Sequence, residues 1–159
     1  MKVVVTGGAG FIGANLCRSL GAAPGVETVV ALDDLSTGSR SNLDGVAATL
    51  VEGSILDAGL LDEVLDGATS VVHLAARPSV PRSLADPEAS HRVNATGTLE
   101  VVEAARRAGG VDRFGSDRSR RPGTRAELSP RTGGRSRGTG GTLVACCRPS
   151  RLNTTSWLP

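Results

Sequence analysis

Three glycines near the amino terminus have the spacing of a phosphate-binding turn. Gly7, Gly10 and Gly13 form a G-x-x-G-x-x-G pattern between an apolar run, Lys2 to Thr6, and a segment with helical periodicity. The first glycine permits a tight bend, the second lets a pyrophosphate approach the backbone, and the third lets the helix pack on the strand. Free N–H groups at the helix start then face the phosphate charge. The pattern predicts a dinucleotide-binding turn, and the alternative is an ordinary strand-to-helix turn.

Asp33 has the position of a ribose-binding carboxylate. It lies 20 residues beyond Gly13, directly after a second apolar run over residues 27–32. A carboxylate there accepts hydrogen bonds from the adenosine ribose hydroxyls and repels a 2′-phosphate, which favours NAD over NADP. Arg40, seven residues farther on, is a cation that would weaken this preference. The alternative for Asp33, and for its neighbour Asp34, is a cap on the following helix.

Short apolar runs that alternate with amphipathic segments must position these residues. Strands are predicted at residues 2–6, 27–32, 49–52 and 70–74, with the start of a fifth at 111–114. Helices are predicted at residues 11–21 and 57–65, and from residue 83 onward with an interruption at Pro87 and a long periodic run over 89–108. This alternation is typical of an α/β fold with a parallel sheet and helices on both faces. Right-handed crossovers predict the strand order 3-2-1-4, with the fifth strand beside strand 4.

The composition excludes several classes of protein. No run of the 159 residues approaches the ~18 apolar residues of a membrane span, and Met1 leads directly into a strand instead of a signal peptide. The three cysteines, Cys17, Cys146 and Cys147, match neither a disulfide framework nor a zinc pattern. We therefore expect a cytoplasmic chain with one domain, no metal site and no membrane partner.

The charge divides the chain near Phe114. Residues 1–114 contain nine basic and 14 acidic residues, whereas residues 115–159 contain nine basic and two acidic ones. Eleven of the last 45 residues are glycine or proline, and periodicity is absent before a short run at 142–145. Because such a segment buries too little apolar surface to offset its ordering entropy, we expect a domain over 1–114 and a disordered basic tail over 115–159.

Six motifs between Lys2 and Phe114 carry a resemblance to a known family. They are T-G-G-A-G-F-I-G-A-N-L, L-D-D-L-S-T-G, V-E-G-S-I-L-D, V-V-H-L-A-A, S-V-P-R-S-L-A-D-P and N-A-T-G-T-L. With these motifs the chain resembles the extended short-chain dehydrogenases, and within them the NAD-dependent nucleotide-sugar epimerases and dehydratases of the UDP-glucose 4-epimerase type. The resemblance implies a Rossmann-type parallel sheet, here incomplete with four to five strands, a bound NAD and a nucleotide-sugar substrate.

The resemblance also implies a set of binding residues. Those at the pyrophosphate are Gly7, Gly10, Phe11, Ile12 and Gly13. Those at the adenosine ribose are Asp33, Asp34, Ser36, Thr37 and Gly38. Those beside the adenine are Ile55 and Ser54, where the family usually has aspartate. Those beneath the cofactor are Leu74, Ala75 and Ala76, and Asn94 reaches it from the long helix. Those closest to the sugar nucleotide are Ser79 and Val80.

Three polar residues have more than one interpretation. His73 lies inside an apolar strand, which favours packing over catalysis. His91 has the position of a solvated or capping residue on a helix. Asn94 either reaches the cofactor, as the resemblance implies, or is an ordinary amide on the helix surface.

The acid–base pair of the family is absent from the sequence. In the family a Ser/Thr-rich segment follows the long helix, and a Tyr-x-x-x-Lys pair on the next helix exchanges a proton while the nicotinamide exchanges a hydride. The chain has no tyrosine and its only lysine is Lys2. Ser116 and Ser119 fall where the serine segment is expected, but residues 115–121 are not predicted to form a strand. We therefore expect no catalytic residues and no turnover.

The change after Phe114 resembles a shift of reading frame. An Arg/Gly/Pro/Ser-rich stretch replaces the apolar pattern inside a strand, as GC-rich coding DNA yields when it is read out of frame. The codons for residues 153–158 permit Glu-His-His-Val-Leu-Ala in another register, which resembles the family's helix after the Tyr-x-x-x-Lys pair. The hypothesis is a truncated or frameshifted chain, and the alternative is a divergent basic tail.

Three functions stay open on the sequence alone. The first is the NAD-binding part of a nucleotide-sugar epimerase or dehydratase, without turnover. The second is a non-catalytic NAD-binding module whose nine tail arginines contact nucleic-acid phosphates, although Trp157 is the tail's only aromatic residue for base stacking. The third is an intact reductase with another proton donor, for which no Asp or His follows the fourth strand in a suitable place.

Overall fold

The computed structural model describes residues 1–77 and 79–116, which form five strands and five α-helices. The strands are β1 (Lys2–Thr6), β2 (Thr28–Asp33), β3 (Thr49–Glu52), β4 (Ser70–His73) and β5 (Arg113–Ser116). The helices are α1 (Phe11–Gly21), α2 (Ala58–Leu65), α3 (Val80–Ala85), α4 (Pro87–His91) and α5 (Thr98–Ala108). A 3-10 turn covers Arg40–Leu43, and a π-helical turn, called the π turn below, covers Arg92–Gly97 between α4 and α5.

All strand pairs are parallel, and the order across the sheet is β3-β2-β1-β4-β5. The predicted order is therefore confirmed. Val4 of β1 is paired with Val30 of β2 on one side and with Val71 of β4 on the other. The chain order reverses at β1, so the carboxyl ends of β1, β2 and β4 border a crevice of the kind in which α/β proteins bind ligands.

Each face of the sheet has its own apolar core. On one face the central strand residues pack against α2 and α5 through Leu61, Leu65, Val101 and Ala104. On the other face β1 and β2 pack against α1 through Ala14 and Cys17. Burial of one leucine side chain contributes about 1.5–3 kcal/mol. The strands are continuously apolar because helices cover both of their faces, as the α/β prediction requires.

The segment after β4 differs from its prediction. The helix predicted from residue 83 begins at Val80, because Ser79 accepts a hydrogen bond from the Arg82 N–H at 3.4 Å and caps it. Pro87 starts α4 after a break at Asp86, whose side chain accepts from the Ala89 N–H at 3.0 Å. Proline suits the first turn of a helix, where its missing N–H has no intrahelical partner.

The fifth strand lies farther along the chain than its prediction. Residues 111–114 are its predicted start, whereas β5 extends from Arg113 to Ser116 and pairs with the whole of β4. The prediction that Gly115 and Ser116 lie outside any strand is wrong. Pairing with β4 uses backbone groups alone, so a strand here does not need the apolar pattern on which the prediction depended.

Parts of the sequence interpretation lie outside the described residues. The tail beyond Ser116 is among them, including Ser119, Cys146, Cys147 and Trp157. Within residues 1–77 and 79–116, no helix has both the length and the apolar character needed to cross a bilayer.

Candidate functional site

The glycine turn lies where the carboxyl ends of three strands meet. Gly7 follows β1 with φ of +70°, a conformation that side chains with a Cβ rarely adopt. Its N–H donates to the Leu32 carbonyl of β2 at 2.8 Å. A Cβ on Gly7 would lie 2.7 Å from the backbone nitrogen of Ala75, just beyond β4. The turn is therefore wedged between two neighbouring chain segments, and only glycine fits there.

The start of α1 is open on the side away from the turn. A Cβ on Gly13 would clash with the Gly7 carbonyl, so the first turn of α1 packs directly on the glycine turn. A Cβ on Gly10 would have one neighbour, the Gly7 carbonyl oxygen at 3.3 Å. No side chain caps α1, and its first turn has no acidic residue. The N–H groups of that turn, from Phe11 onward, can therefore face an anion.

Asp33 ties the glycine turn to the loop after β2. Its carboxylate is 8 % exposed and accepts two backbone hydrogen bonds, from the Ala9 N–H and from the Leu35 N–H, both at 2.9 Å. Each carboxylate oxygen keeps further acceptor capacity. Asp34 is exposed and accepts from the Ser36 N–H at 2.9 Å. Neither carboxylate caps a helix, because the next helical turn is preceded by Ser39.

The loop over residues 34–39 packs on the glycine turn. The Ala9 carbonyl accepts from the Ser39 N–H at 3.1 Å and from the Asn42 side-chain amide at 2.8 Å. Gly38 lies so close that a Cβ on it would be 2.9 Å from the Ala9 oxygen. Ser36 and Thr37 remain exposed at the edge of the crevice. Asn42 is missed by the sequence analysis, since an asparagine nine residues from Asp33 fits no motif.

Arg40 has an acidic partner at the same edge of the sheet. Its guanidinium forms an ion pair with Glu52, the last residue of β3. Glu52 is directly paired with Asp33 in the register of β2 and β3. Both side chains of the ion pair are more than half exposed. The cation that would weaken a preference for NAD is therefore neutralised by a carboxylate beside Asp33.

The two residues after β3 have different environments. Ser54 is partly buried, and its hydroxyl accepts from the Leu56 N–H at 3.2 Å. The Ile55 side chain is buried in the core on the α2 and α5 face. A Cβ on Gly97 of the π turn would lie 2.5 Å from Ile55 Cδ1, so that glycine makes room for it.

The chain after β4 passes beside the glycine turn. The Leu74 N–H donates to the Thr6 carbonyl at 3.0 Å, and the Ala75 N–H donates to the Thr6 hydroxyl at 3.3 Å. Ala75 is partly buried and Ala76 is exposed. Small side chains keep this stretch of backbone accessible from the crevice. The predicted cofactor-proximal residues Gly7 and Ala75 are thereby brought together.

Asn94 holds the loop after β4. Its side-chain oxygen accepts from the Arg77 N–H at 2.8 Å, and its side-chain nitrogen donates to the Arg77 carbonyl at 3.3 Å. The Asn94 side chain thus holds the backbone of Arg77, two residues before Ser79, which caps α3. Val80 is 72 % exposed. π turns occur frequently at functional sites, but no sequence signal marks this one.

His73 is a buried residue of the sheet. It is 6 % exposed, and its ring lies beside Phe114 with the centroids 6.4 Å apart. Its Nδ1 lies 2.7 Å from the Thr6 hydroxyl, and its Nε2 lies 3.0 Å from the Thr98 hydroxyl. Burial lowers the pKa of His73. His91 is exposed at the end of α4.

Nucleophiles and metal ligands are not assembled in this part of the molecule. Burial raises the pKa of the Cys17 thiol to about 11, so the reactive thiolate is scarce near neutrality. Among residues 1–77 and 79–116, no group of three His, Cys, Asp or Glu side chains could hold a metal ion. The groups that the crevice presents are backbone N–H donors at the start of α1 and the Asp33 carboxylate.

Comparison with known proteins gives one family. A model described as "NAD dependent epimerase/dehydratase family" matches residues 3–119. A dTDP-glucose 4,6-dehydratase of Mycolicibacterium smegmatis is 42% identical over 110 residues, 67% of this chain and 33% of the relative. A UDP-glucose 4-epimerase of the same organism is 43% identical over 114 residues, 69% of this chain and 36% of the relative. The chain thus spans about a third of the length of these relatives.

The solved structures that this chain resembles include the same two kinds of enzyme as its sequence relatives. The dTDP-glucose 4,6-dehydratase DesIV of Streptomyces venezuelae, with NAD and TYD bound, has a TM-score of 0.67 and 41% identity, covering 72% of this chain and 38% of that chain. The UDP-glucose 4-epimerase of Thermotoga maritima, with UDP-glucose, has a TM-score of 0.67 and 35% identity, covering 73% of this chain and 37% of that chain.

Proposed function

The chain belongs to the NAD dependent epimerase/dehydratase family, and from that membership we propose that residues 1–116 bind NAD across the carboxyl ends of β1, β2 and β4. The observation that carries the proposal is the Asp33 carboxylate, which is hydrogen-bonded to the glycine turn at the Ala9 N–H. It brings a ribose acceptor and a pyrophosphate turn into one crevice. Relatives of known structure have NAD bound.

The pyrophosphate site is the open side of the glycine turn. The donor set fits an anion, because the first turn of α1 has neither a capping side chain nor an acidic residue. The space that a Cβ on Gly10 would fill is the place where phosphate oxygens meet these donors. The residues proposed here are Gly7, Gly10, Phe11, Ile12 and Gly13.

The loops after β2 and β3 form the adenosine site. Asp33 accepts from the ribose hydroxyls with the acceptor capacity that its two backbone bonds leave free. The remaining residues of this pocket are Asp34, Ser36, Thr37, Gly38, Ser54 and Ile55. Because a 2′-phosphate would meet the Asp33 charge, we propose that NAD is preferred over NADP.

The nicotinamide end lies along the chain after β4. Leu74, Ala75 and Ala76 lie under the dinucleotide, and Asn94 positions this loop through Arg77. Ser79 and Val80, at the start of α3, lie on the side of the crevice from which a nucleotide sugar would enter. When bound, the nicotinamide supplies a hydride acceptor. The polypeptide itself supplies binding and orientation, since its sequence has no tyrosine and no lysine beyond Lys2.

Titration calorimetry with the full 159-residue chain tests the proposal. We expect weak binding of NAD and weaker binding of NADP. Gly10→Asp places a carboxylate against the pyrophosphate and raises the Kd for NAD roughly tenfold or more, a loss of at least ~1.4 kcal/mol. The matched control is Gly110→Asp in the exposed turn before β5, which introduces the same charge outside the crevice and leaves the Kd unchanged.

Two outcomes contradict the proposal. Absence of NAD binding by a folded chain, as judged by circular dichroism, removes the binding function. Equal affinity for NAD and NADP removes Asp33 from the role of a selective ribose acceptor. The nucleic-acid alternative depends on residues beyond Ser116, which lie outside the described part of the chain.

A further inference from the structure

A row of hydrogen-bonded polar groups, two of them buried and one partly buried, lies beside the binding residues proposed above and is not among them. It contains the Thr6 hydroxyl, the His73 ring and the Thr98 hydroxyl, from β1, β4 and α5. Thr6 is 0 % exposed and His73 is 6 % exposed. At one end the Thr6 hydroxyl accepts from the Ala75 N–H at 3.3 Å. At the other end the Thr98 hydroxyl donates to the Asn94 carbonyl at 2.8 Å.

The two end groups determine the direction of every proton in this row. A carbonyl only accepts, so the single proton of the Thr98 hydroxyl points to Asn94. Thr98 must then accept from His73 across the 3.0 Å separation, which places a hydrogen on Nε2. The Ala75 N–H only donates, so the Thr6 hydroxyl accepts from it, and the hydroxyl's own proton then has His73 Nδ1, 2.7 Å away, as its acceptor in the row.

Only the neutral imidazole with hydrogen on Nε2 makes all four bonds and also gives the buried Thr6 hydroxyl proton an acceptor. A proton on Nδ1 would oppose the Thr6 hydroxyl proton, and that hydroxyl would lose its acceptor. Burial of His73 favours the same neutral form, since it disfavours the charged ring. The neighbours that face the ring from β1, β5 and α5 are Thr6, Phe114 and Thr98, all of them uncharged.

Both ends of the row reach the proposed cofactor crevice. The Ala75 backbone adjoins Gly7, at the distance that excludes a Cβ on that glycine. The Asn94 side chain holds the N–H and the carbonyl of Arg77 in the loop after β4. One imidazole ring therefore lies between the strand that leads into the glycine turn and the helix that follows the π turn, and it is hydrogen-bonded to both.

We propose that His73 is a positioning residue for NAD, holding Ala75 and the Asn94–Arg77 contact in place through a directed hydrogen-bond relay with Thr6 and Thr98. The proposal rests on the NAD-binding function proposed above. His73 touches neither the nicotinamide nor the phosphates in this assignment. It acts through the backbone of its neighbours.

Nitrogen NMR of the imidazole rings tests the relay in the wild-type chain. The sequence has two histidines, so His91→Gln removes the other set of ring signals. We expect His73 to show the neutral tautomer with hydrogen on Nε2 at pH 7. A hydrogen on Nδ1, or a protonated ring at that pH, overturns the relay without any reference to NAD.

A pair of substitutions at Thr98 tests the effect on binding. Thr98→Val keeps the shape of the side chain and removes both hydrogen bonds, whereas Thr98→Ser keeps the hydroxyl. If the relay holds the Asn94–Arg77 contact in its binding position, the loss of both bonds loosens that contact, and we expect Thr98→Val to raise the Kd for NAD roughly tenfold. We expect Thr98→Ser to bind within about twofold of wild type.

The outcomes separate this inference from the proposed function. If wild type binds NAD and the two Thr98 variants, both folded, bind it equally well, the positioning role is overturned and the NAD-binding function stands. If wild type does not bind NAD, the proposed function itself is overturned, together with this role. A purely structural role of Thr98 would lower the thermal midpoint of Thr98→Val and leave its Kd for NAD unchanged.

Discussion

At the residue scale, the proposed preference for NAD depends on the charges of Asp33, Arg40 and Glu52. In the proposed binding mode a 2′-phosphate would meet the Asp33 charge, while the Arg40 guanidinium is engaged in an ion pair with Glu52. The register of β2 and β3 places Glu52 next to Asp33, so all three charges share one edge of the sheet. The sequence places Asp33 and Arg40 but does not pair Arg40 with Glu52, because register is a tertiary property.

Glu52→Gln is expected to narrow the preference for NAD. The substitution frees Arg40 to face a 2′-phosphate, and an exposed ion pair is worth about 0–1 kcal/mol, so NADP affinity should rise roughly twofold to fivefold. The Kd for NAD should stay within about twofold. Calorimetry with both cofactors measures the ratio. Asp62→Asn, which breaks the exposed pair with Arg107 on α5, is the matched control. If the affinity ratio changes by a similar factor in Asp62→Asn, or does not change in Glu52→Gln, the Arg40–Glu52 pair does not affect the choice of cofactor.

His73 links the stability of the domain to pH. Burial holds its pKa below the ordinary value near 6.5, so the unfolded chain binds more protons than the folded one in that range. Stability contributed by the neutral ring is therefore complete above pH ~6.5 and declines as the pH falls through the folded-state pKa. Urea unfolding at pH 7.5 and pH 5.5 measures this decline. In His73→Gln, which cannot titrate, the free energy of unfolding should decline less than in wild type. An equal decline in both proteins would show that His73 does not cause it.

At the element scale, local signals determine how far the sequence predicts the structure. The glycine turn, α1 and α2 follow from neighbouring residues and are found where the pattern places them. The starts of α3 and α4 depend on single capping side chains, Ser79 and Asp86, which a periodicity search does not weigh. The apolar pattern predicts the start of β5 but not its extension to Ser116, and it does not reveal the Asn94–Arg77 contact, because both depend on partners elsewhere in the chain.

The cap of α2 gives a prediction at this scale. Asp57 accepts a hydrogen bond from the Leu60 N–H at 3.0 Å in the first turn. Asp57→Ala should lower the free energy of unfolding by about 1 kcal/mol, as expected for loss of a helix cap. Asp57→Asn keeps an oxygen acceptor and should recover most of this loss. Urea denaturation of the three proteins is the measurement, and equal midpoints for alanine and asparagine would rule out a capping role.

At the scale of the whole molecule, the described part has several exposed apolar side chains. The most exposed are Phe11, Leu84, Val80, Ile12 and Leu99, at 83%, 80%, 72%, 58% and 58%. Phe11 and Val80 border the proposed binding crevice, whereas Leu99 lies on α5.

The shift of reading frame after Phe114 stays a hypothesis. The DNA beyond that codon, read in all three frames, tests it.

The last prediction is that the 159-residue polypeptide has no epimerase, dehydratase or dehydrogenase turnover. General acid–base catalysis contributes roughly 10²–10⁴-fold, and the sequence has neither a tyrosine nor a lysine beyond Lys2 to supply it. Binding of NAD alone cannot replace that contribution, because a hydride acceptor needs a positioned sugar and a group that takes the hydroxyl proton.

The assay is conversion of UDP-glucose, UDP-galactose and dTDP-glucose with added NAD and purified full-length chain. We expect no conversion above the protein-free blank. Gly10→Asp serves as the control for contaminating enzymes, since only activity of this chain depends on its own glycine turn. Conversion that this substitution abolishes would contradict the prediction, and the proton donor would then have to be sought among Ser79, His91 and Ser116. Those three residues follow β4 in the chain, and their alanine variants would identify the donor.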